Sequence, residues 1–185
     1  KTMLADTVPF PAYTRSIIQK AGLYDEELVR NQDDEYNYRI RELGGKLLLA
    51  EDVRSKYFSR GSFRKLWKQY FQYGFYKVRV LQKHPRQMSI RQFVPPLFVL
   101  SLLVSIILAL VTSWGWIALL SIIGAYIVAN LVASTITAAK RGWNHLLLLP
   151  IAYTIIHLSY GCGFLTGLFK FWNRWRDTEG KVQIT

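Results

Sequence analysis

The sequence predicts a chain in two parts: a short α/β soluble portion, then a basic amphipathic helix leading into a helical membrane region. Three observations carry this. Residues 94–169 are almost entirely apolar. Every Asp and Glu lies before Val53 or after Arg176, in a chain of 185 residues with net charge +12 and 51% hydrophobic residues. Ahead of the apolar region, helical and strand-like patterns alternate over roughly 90 residues, a piece too short to bury a large share of its surface.

From the N-terminus, residues 1–10 mix strand-like and turn residues without a helix start, so the beginning reads as internal to a larger soluble unit; no signal peptide is visible. Thr14 to Lys20 has helical spacing (Ile17, Ile18, then Ala21), with Gly22 placed as the left-handed residue beyond its end. A turn, Leu23-Tyr24-Asp25-Glu26-Glu27, follows. Asp33 to Leu43 reads as a second helix, with Asn31 or Asp33 at its N-cap and Gly44-Gly45 ending it. Lys46 to Ala50 is a candidate buried strand and Val53 to Ser59 a second strand.

The second helix opens on the run Asn31-Gln32-Asp33-Asp34-Glu35, the one concentration of carboxylates in the chain. Carboxylates crowded into one turn repel one another, which raises the proton affinity of at least one, while the helix N-terminus partly compensates. The arrangement suits a general base or a metal site. Acids are also favoured in a first helical turn for structural reasons alone, so the pattern by itself leaves both readings open.

Three stretches together resemble a known family. They are Phe10-Pro11-Ala12-Tyr13-Thr14-Arg15, Gly22-Leu23-Tyr24-Asp25-Glu26 and Asp33-Asp34-Glu35-Tyr36-Asn37-Tyr38-Arg39-Ile40. They look like the acceptor-side half of family 2 glycosyltransferases of the GT-A fold, of the membrane-anchored kind found in exopolysaccharide (succinoglycan-type) biosynthesis. Registered on Arg39, the resemblance puts Asp33 at the catalytic aspartate, Glu35 at the second acid, and Gln32 where many members have Glu. It implies an incomplete GT-A domain, its C-terminal part only, and inverting sugar transfer with Asp33 as base, Asp34 being the alternative. Asp34 and Glu35 would shape the acceptor site. It also implies a nucleotide-sugar donor and a divalent cation (Mg or Mn), bound mainly by a nucleotide-binding half before Lys1 that carries an Asp-x-Asp motif. This chain has no such motif, holds no metal site of its own, and is expected to be inactive alone.

Between Arg54 and Arg91 lie eleven Lys or Arg residues and many aromatics, with no acid. Over Ser62 to Lys83, Phe63, Leu66, Trp67, Tyr70, Phe71, Gly74, Val78 and Leu81 follow helical spacing, while Arg64, Lys65, Lys68, Lys77 and Arg79 supply charge. Such a helix suits a membrane surface, its cations near anionic lipid. A basic aromatic segment can also bind single-stranded nucleic acid, but its place directly before an apolar stretch favours lipid. Gln69-Tyr70-Phe71-Gln72-Tyr73 occupies the place of the family's Gln-x-x-Arg-Trp motif. By that resemblance Gln69 and Tyr73 line the acceptor site, and the absent arginine, a bidentate phosphate donor, favours single addition over processive synthesis. His84-Pro85 ends the helix.

Val94 to Val111, Trp116 to Ile136 and Leu146 to Phe169 each approach the ~20 residues of a spanning helix. Pro95-Pro96 suits a first helical turn. By the positive-inside rule, the connector and Lys140-Arg141 face the cytoplasm and the Trp114 loop faces out. A full third crossing would put Lys170, Arg174 and Arg176 outside, against that rule; Pro150, Gly161, Gly163 and Gly167 would permit a broken or re-entrant segment instead, with Gly163 to Gly167 a small-residue packing signal. Cys162 reads as a small apolar residue, no intrachain disulfide is possible, and His157 reads as a hydrogen-bonding partner of a neighbouring helix. His84 and His145 are each without a second ligand nearby in sequence.

The organisation read from the sequence is thus 1–60 (acceptor-side part), 61–93 (interfacial connector), 94–170 (two or three spans) and 171–185 (polar tail). The function is a multi-pass inner-membrane enzyme whose cytoplasmic portion transfers a sugar from a nucleotide-sugar donor to a membrane-proximal, lipid-linked or saccharide acceptor. The competing class is a non-enzymatic membrane scaffold or assembly subunit with a lipid-binding helix. A small transporter is disfavoured because the spans lack charge.

Overall fold

Local signals account for both helices of the soluble part. Thr14 caps α1 (Arg15–Ala21), its hydroxyl accepting from the Ile17 amide at 3.4 Å. Gly22 ends α1 at φ +75°, its N–H donating to the Ile18 carbonyl at 2.9 Å; the positive angle favours glycine. Asn31, at φ 63°, occupies the N-cap of α2 (Gln32–Glu42), a left-handed angle that asparagine tolerates. Gly44, at φ +79°, closes α2, as the Gly44-Gly45 signal predicts.

The computed structural model describes residues 2–8, 10–58 and 61–176. The chain is mostly helical and divides into two compact units, one formed by the described residues of Lys1–Ser59, Tyr76–Ser89 and Gly167–Thr185, the other by those of Arg60–Phe75 and Ile90–Thr166. The first is built on Ala21, Tyr36, Ile40 and Leu47, with Val8, Tyr13, Ile17 and Leu43 packed around them. Its sheet is a two-stranded antiparallel ribbon, β1 (Met3–Leu4) against β2 (Leu48–Leu49), in register Met3 with Leu49 and Leu4 with Leu48.

The strand content is smaller than the sequence predicts. Lys46–Ala50 contributes only Leu48 and Leu49 to a strand, and both are exposed, while Leu47 alone turns into the core. A ribbon paired on one edge leaves both faces of those residues uncovered, so the buried strand expected there is corrected to a short exposed one. Residues 53–58 form no strand and are exposed; Ser59 lies outside the described residues.

The basic helix is present as α3 (Phe63–Lys83), ending directly before His84-Pro85. In the second unit, the first part of α3 packs with α4 (Val94–Ala109), α5 (Ser113–Arg141) and α6 (Leu149–Lys170). Three helical segments are long and apolar enough to cross a membrane: Ile90–Val111, Ser113–Arg141 and Leu149–Lys170. Pro95 and Pro96 fall in the first turn of α4, where missing amide donors cost little. The third segment contains no break: α6 runs continuously through Pro150, Gly161 and Gly163.

Glycines let these backbones approach. A Cβ on Gly74 of α3 would collide with the Tyr160 carbonyl of α6, and one on Gly163 would collide with the Phe71 carbonyl of α3. A Cβ on Gly161 would lie 2.5 Å from the Pro95 carbonyl of α4. The partner of Gly163 is therefore the backbone of α3 at Phe71, a contact that no i, i+4 pattern announces.

Between α5 and α6 the contact is polar. Asn130 Nδ2 donates to the Pro150 carbonyl and to Thr154 Oγ1, each at 3.0 Å, and Tyr126 Oη lies 3.1 Å from His157 Nδ1. His157 thus has the neighbouring-helix partner that the sequence predicts. Stacking of Phe98 on Tyr126, centroids 4.3 Å apart, ties α4 to the same seam.

Replacing Gly163 with Leu should destabilise the helical unit by about 1–3 kcal/mol through overpacking. Gly124→Leu, at a position with nothing within 4 Å of an added Cβ, should be tolerated. Thermal unfolding in detergent micelles compares the two, and equal midpoints would refute the close α3–α6 approach.

Candidate active site

The first turn of α2 presents three consecutive carboxylates, and the fold treats each differently. Asp33 is exposed and accepts no hydrogen bond among the described residues. Asp34 is half-buried, its Oδ2 2.5 Å from Lys77 Nζ, and its backbone carbonyl accepts from Gln87 Nε2 at 3.0 Å. Glu35 has no exposed surface: Arg39 Nη2 and Nε donate to its two oxygens at 2.9 and 3.1 Å, and His84 Nε2 lies 2.9 Å from Oε1. Burial by itself pushes the Glu35 carboxyl up, but the hydrogen bonds of His84 and Arg39 and the charge of both outweigh it and hold the group below the ordinary value.

Arg39 does more than neutralise Glu35. Its Nη1 donates to the carbonyls of Ala21 at 2.7 Å and Leu23 at 3.0 Å, taking up acceptors at the end of α1. Tyr36 Oη donates to the Gly22 carbonyl at 2.7 Å. This explains why the Gly22-Leu23 turn and the run Glu35 to Arg39 occur together in the sequence: one side-chain pair joins the two helices. Beside them, Tyr13 donates to Asn37 Oδ1 at 2.8 Å, and Tyr24 stacks on Tyr36 with centroids 4.5 Å apart. Burial, then the hydrogen bond and charge of Tyr24 and the charges of Tyr36 and Asp33, push the Tyr13 hydroxyl above the tyrosine range, so it stays neutral.

A second charge cluster lies behind this turn. Glu27 accepts from Arg79 Nε and Nη2, both at 2.8 Å, from Lys83 Nζ at 3.0 Å and from Arg174 Nη1 at 2.5 Å. Lys83 also pairs with Asp25. Gln82 Nε2 donates to the Phe171 carbonyl at 2.7 Å. Of the five cations that the sequence assigns to a lipid-facing side of α3, Lys77 and Arg79 are therefore corrected: they are buried in ion pairs with Asp34 and Glu27, because the acids of residues 25–34 face the last turns of the helix. Arg64, Lys65 and Lys68 are exposed. Nothing in a linear reading signals pairs 52 residues apart; the segregation of acids from cations was the only trace of them.

Gln69 and Tyr73 lie one turn apart on α3 in the second unit, Gln69 Nε2 donating to Tyr73 Oη at 2.9 Å. Asp33, Asp34 and Glu35 are grouped in the first unit. Among the described residues no three His, Cys, Asp or Glu side chains gather as a cation site, so the divalent cation implied by the resemblance does not fit the residues present here. Of the three acids of this turn, Asp33 alone has no hydrogen-bond or ion-pair partner among the described residues.

Glu27→Gln would leave Arg79 and Lys83, whose side chains are 0% and 1% exposed, without full compensation, at a cost of about 3–5 kcal/mol. Acid acts on the same contact. Burial raises the Glu27 pKa, but Arg79 and Lys83 more than reverse this and bring it from 4.5 to about 2. A carboxyl depressed by folding adds stability that is complete above the ordinary value and disappears as pH falls through the folded one. The wild-type unit should therefore lose this contribution between pH 4.5 and about 2, and Glu27→Gln should not; acid unfolding followed by tryptophan fluorescence checks both.

Comparison with known proteins returns no matching family model and no matching solved structure. The chain is similar to the succinoglycan biosynthesis protein ExoA of Rhizobium meliloti, 28% identical over 153 residues, covering 83% of this chain and 45% of that protein. It is also similar to a dolichyl N-acetyl-alpha-D-glucosaminyl phosphate 3-beta-D-2,3-diacetamido-2,3-dideoxy-beta-D-glucuronosyltransferase of Methanococcus voltae, 28% identical over 167 residues, covering 90% of this chain and 48% of that protein. The chain spans about half the length of the curated relatives it matches. The resemblance read from Phe10 to Ile40, to sugar transferases of saccharide biosynthesis, is borne out by these two similarities.

Proposed function

We propose that this chain is the acceptor-side part and membrane anchor of an inverting, GT-A type glycosyltransferase that moves a sugar from a nucleotide-sugar donor to a membrane-proximal, polyprenyl-linked or other saccharide acceptor in polysaccharide biosynthesis. One observation carries the reading. In a chain similar to sugar transferases, Asp33 is the only acid of the α2 turn that is exposed and has no bond among the described residues, its neighbours being held by Lys77, Arg39 and His84. Asp33 would take the proton from the acceptor hydroxyl as it attacks the anomeric carbon, while the nucleotide diphosphate departs from the opposite face. Asp34, half-exposed, would shape the acceptor side of the same turn. Glu35 is better suited to holding the turn than to touching substrate, since its carboxylate has no exposed surface. The donor and any divalent cation are assigned to the portion of the protein outside this chain.

In the membrane, the proposal is two crossings. The described chain leaves the first unit after Ser89 and returns to it at Gly167, where Phe171 and Arg174 bond to Gln82 and Glu27. A segment that starts and ends on one face crosses an even number of times. The hairpin of α4 and α5 supplies two crossings, and α6, the least apolar of the three, supplies none. Lys170, Arg174 and Arg176 then remain with Lys140-Arg141 on the cytoplasmic face, which satisfies the positive-inside rule, and the catalytic portion lies where nucleotide sugars are found, at the inner membrane.

Asp33→Asn in the complete protein should lower sugar transfer roughly 10²- to 10⁴-fold, the usual contribution of a general base, without lowering its level in membranes. A donor screen scoring nucleotide release, followed by initial rates for the variant, tests this; activity within a few-fold of wild type would remove Asp33 as the base. For topology, a fluorescent protein appended after Thr185 should fluoresce in cells, and alkaline phosphatase at the same point should be silent. The reverse pattern would make α6 a third span.

A further inference from the structure

We propose that the first two turns of α3 form a docking surface for anionic phospholipid, in which Arg64, Lys65 and Lys68 meet headgroup phosphates while Phe63 and Trp67 lie at the headgroup boundary. The inference goes beyond the transfer reaction and does not depend on which acid is the base.

The positive charge of α3 is of two kinds. In its last turns, within the first unit, Lys77, Arg79 and Lys83 have side chains 5%, 0% and 1% exposed and pair with Asp34, Glu27 and Asp25. In its first turns, within the second unit, Arg64, Lys65 and Lys68 are exposed and have no ion-pair partner among the described residues. The sequence accounts for the difference, because the second unit contains no Asp or Glu. No carboxylate of that unit competes with an external anion for these cations.

The aromatic groups identify which anion. Phe63, Trp67, Phe71 and Gly74 follow one another at i+4, i+4 and i+3, so they share one stripe of the helix. The second half of the stripe is covered: the Phe71 backbone and Gly74 lie against α6 at Gly163 and Tyr160. The first half is not, Phe63 being 44% and Trp67 40% exposed. One stripe thus runs from a packed helical seam onto open surface, with the three cations beside it. A soluble phosphate would satisfy the cations and leave the rings in water. A phospholipid satisfies both, its phosphate meeting the cations and its upper acyl chain the rings, and α3 packs here in the unit that holds the three helices long and apolar enough to cross a membrane.

Trp67 can report on its own site, since bromine quenches a neighbouring indole. The complete protein in phosphatidylcholine nanodiscs receives equal small fractions of phosphatidylglycerol or phosphatidylcholine, each brominated in the upper part of an acyl chain. Tryptophan emission should be quenched more by the brominated phosphatidylglycerol, and the excess should vanish in Trp67→Phe. Lys65→Gln should lower the preference about five-fold, the usual weight of one cation at an anionic surface. The triple variant Arg64→Gln, Lys65→Gln, Lys68→Gln should abolish it. Arg15→Gln, Lys20→Gln, Lys46→Gln, which removes three exposed cations of the first unit, should keep it at the same loss of net charge.

Equal quenching by the two lipids overturns the proposal, as does an excess that survives Trp67→Phe or the α3 triple variant, or one lost equally in the first-unit variant. If the α3 variant fails to accumulate, ionic strength decides. Raising salt from about 0.1 to about 1 M shortens the screening length from about 10 Å to about 3 Å and should remove the excess; an unchanged excess sinks the idea. Loss of the excess on adding pyrophosphate or an oligouridylate strand at constant ionic strength would reassign the surface to soluble phosphate or to nucleic acid and overturn the lipid assignment.

Discussion

The soluble unit is organised around one buried carboxylate. Glu35 has no exposed surface and still holds a charge, because Arg39 meets it from its own helix and His84 from the end of α3. Without both donors the desolvation penalty would force the group to protonate or the turn to open. With them, the same arginine reaches the carbonyls of Ala21 and Leu23 and joins α1 to α2. Asp33, exposed in the first turn of α2, is solvated and favoured there by the helix N-terminus.

Electrostatic segregation along the chain becomes pairing in space. The acids of residues 25–35 lie in one stretch and the cations Lys77, Arg79 and Lys83 in another, and folding brings the two together. The exposed cations that remain on α3, Arg64, Lys65 and Lys68, are in its first turns. One helix thus carries two kinds of positive charge, and a linear tally cannot separate them.

Much of the architecture was legible because it is local. The helical spacing from Thr14 to Lys20, Gly22, Asn31 as one of two N-cap candidates, the Gly44-Gly45 stop, His84-Pro85 and the prolines opening α4 each act within a few residues, and each holds in the structure. What was not legible is long-range. Lys46 to Ala50 has the composition of a buried strand but only one partner strand, so Leu48 and Leu49 remain exposed. The glycine pairing of α3 with α6 and the ion pairs of Glu27 join residues far apart in sequence, and no periodicity encodes them. In the acid turn, composition shows three adjacent carboxylates, whereas their different surroundings are set by Lys77, Arg39 and His84, which no local pattern announces.

The bond between Glu27 and Arg174 also orders events in time. These two residues are separated by 147 positions, and chains emerge at about 5–20 residues per second. Arg174 therefore reaches Glu27 roughly 7 to 30 s after that glutamate has been made. In that interval the whole apolar region is synthesised, so the first unit gains its last contact only after the three long apolar helices have been made. A chain ending within α5 or α6 would leave Arg79 and Lys83 holding Glu27 without Arg174.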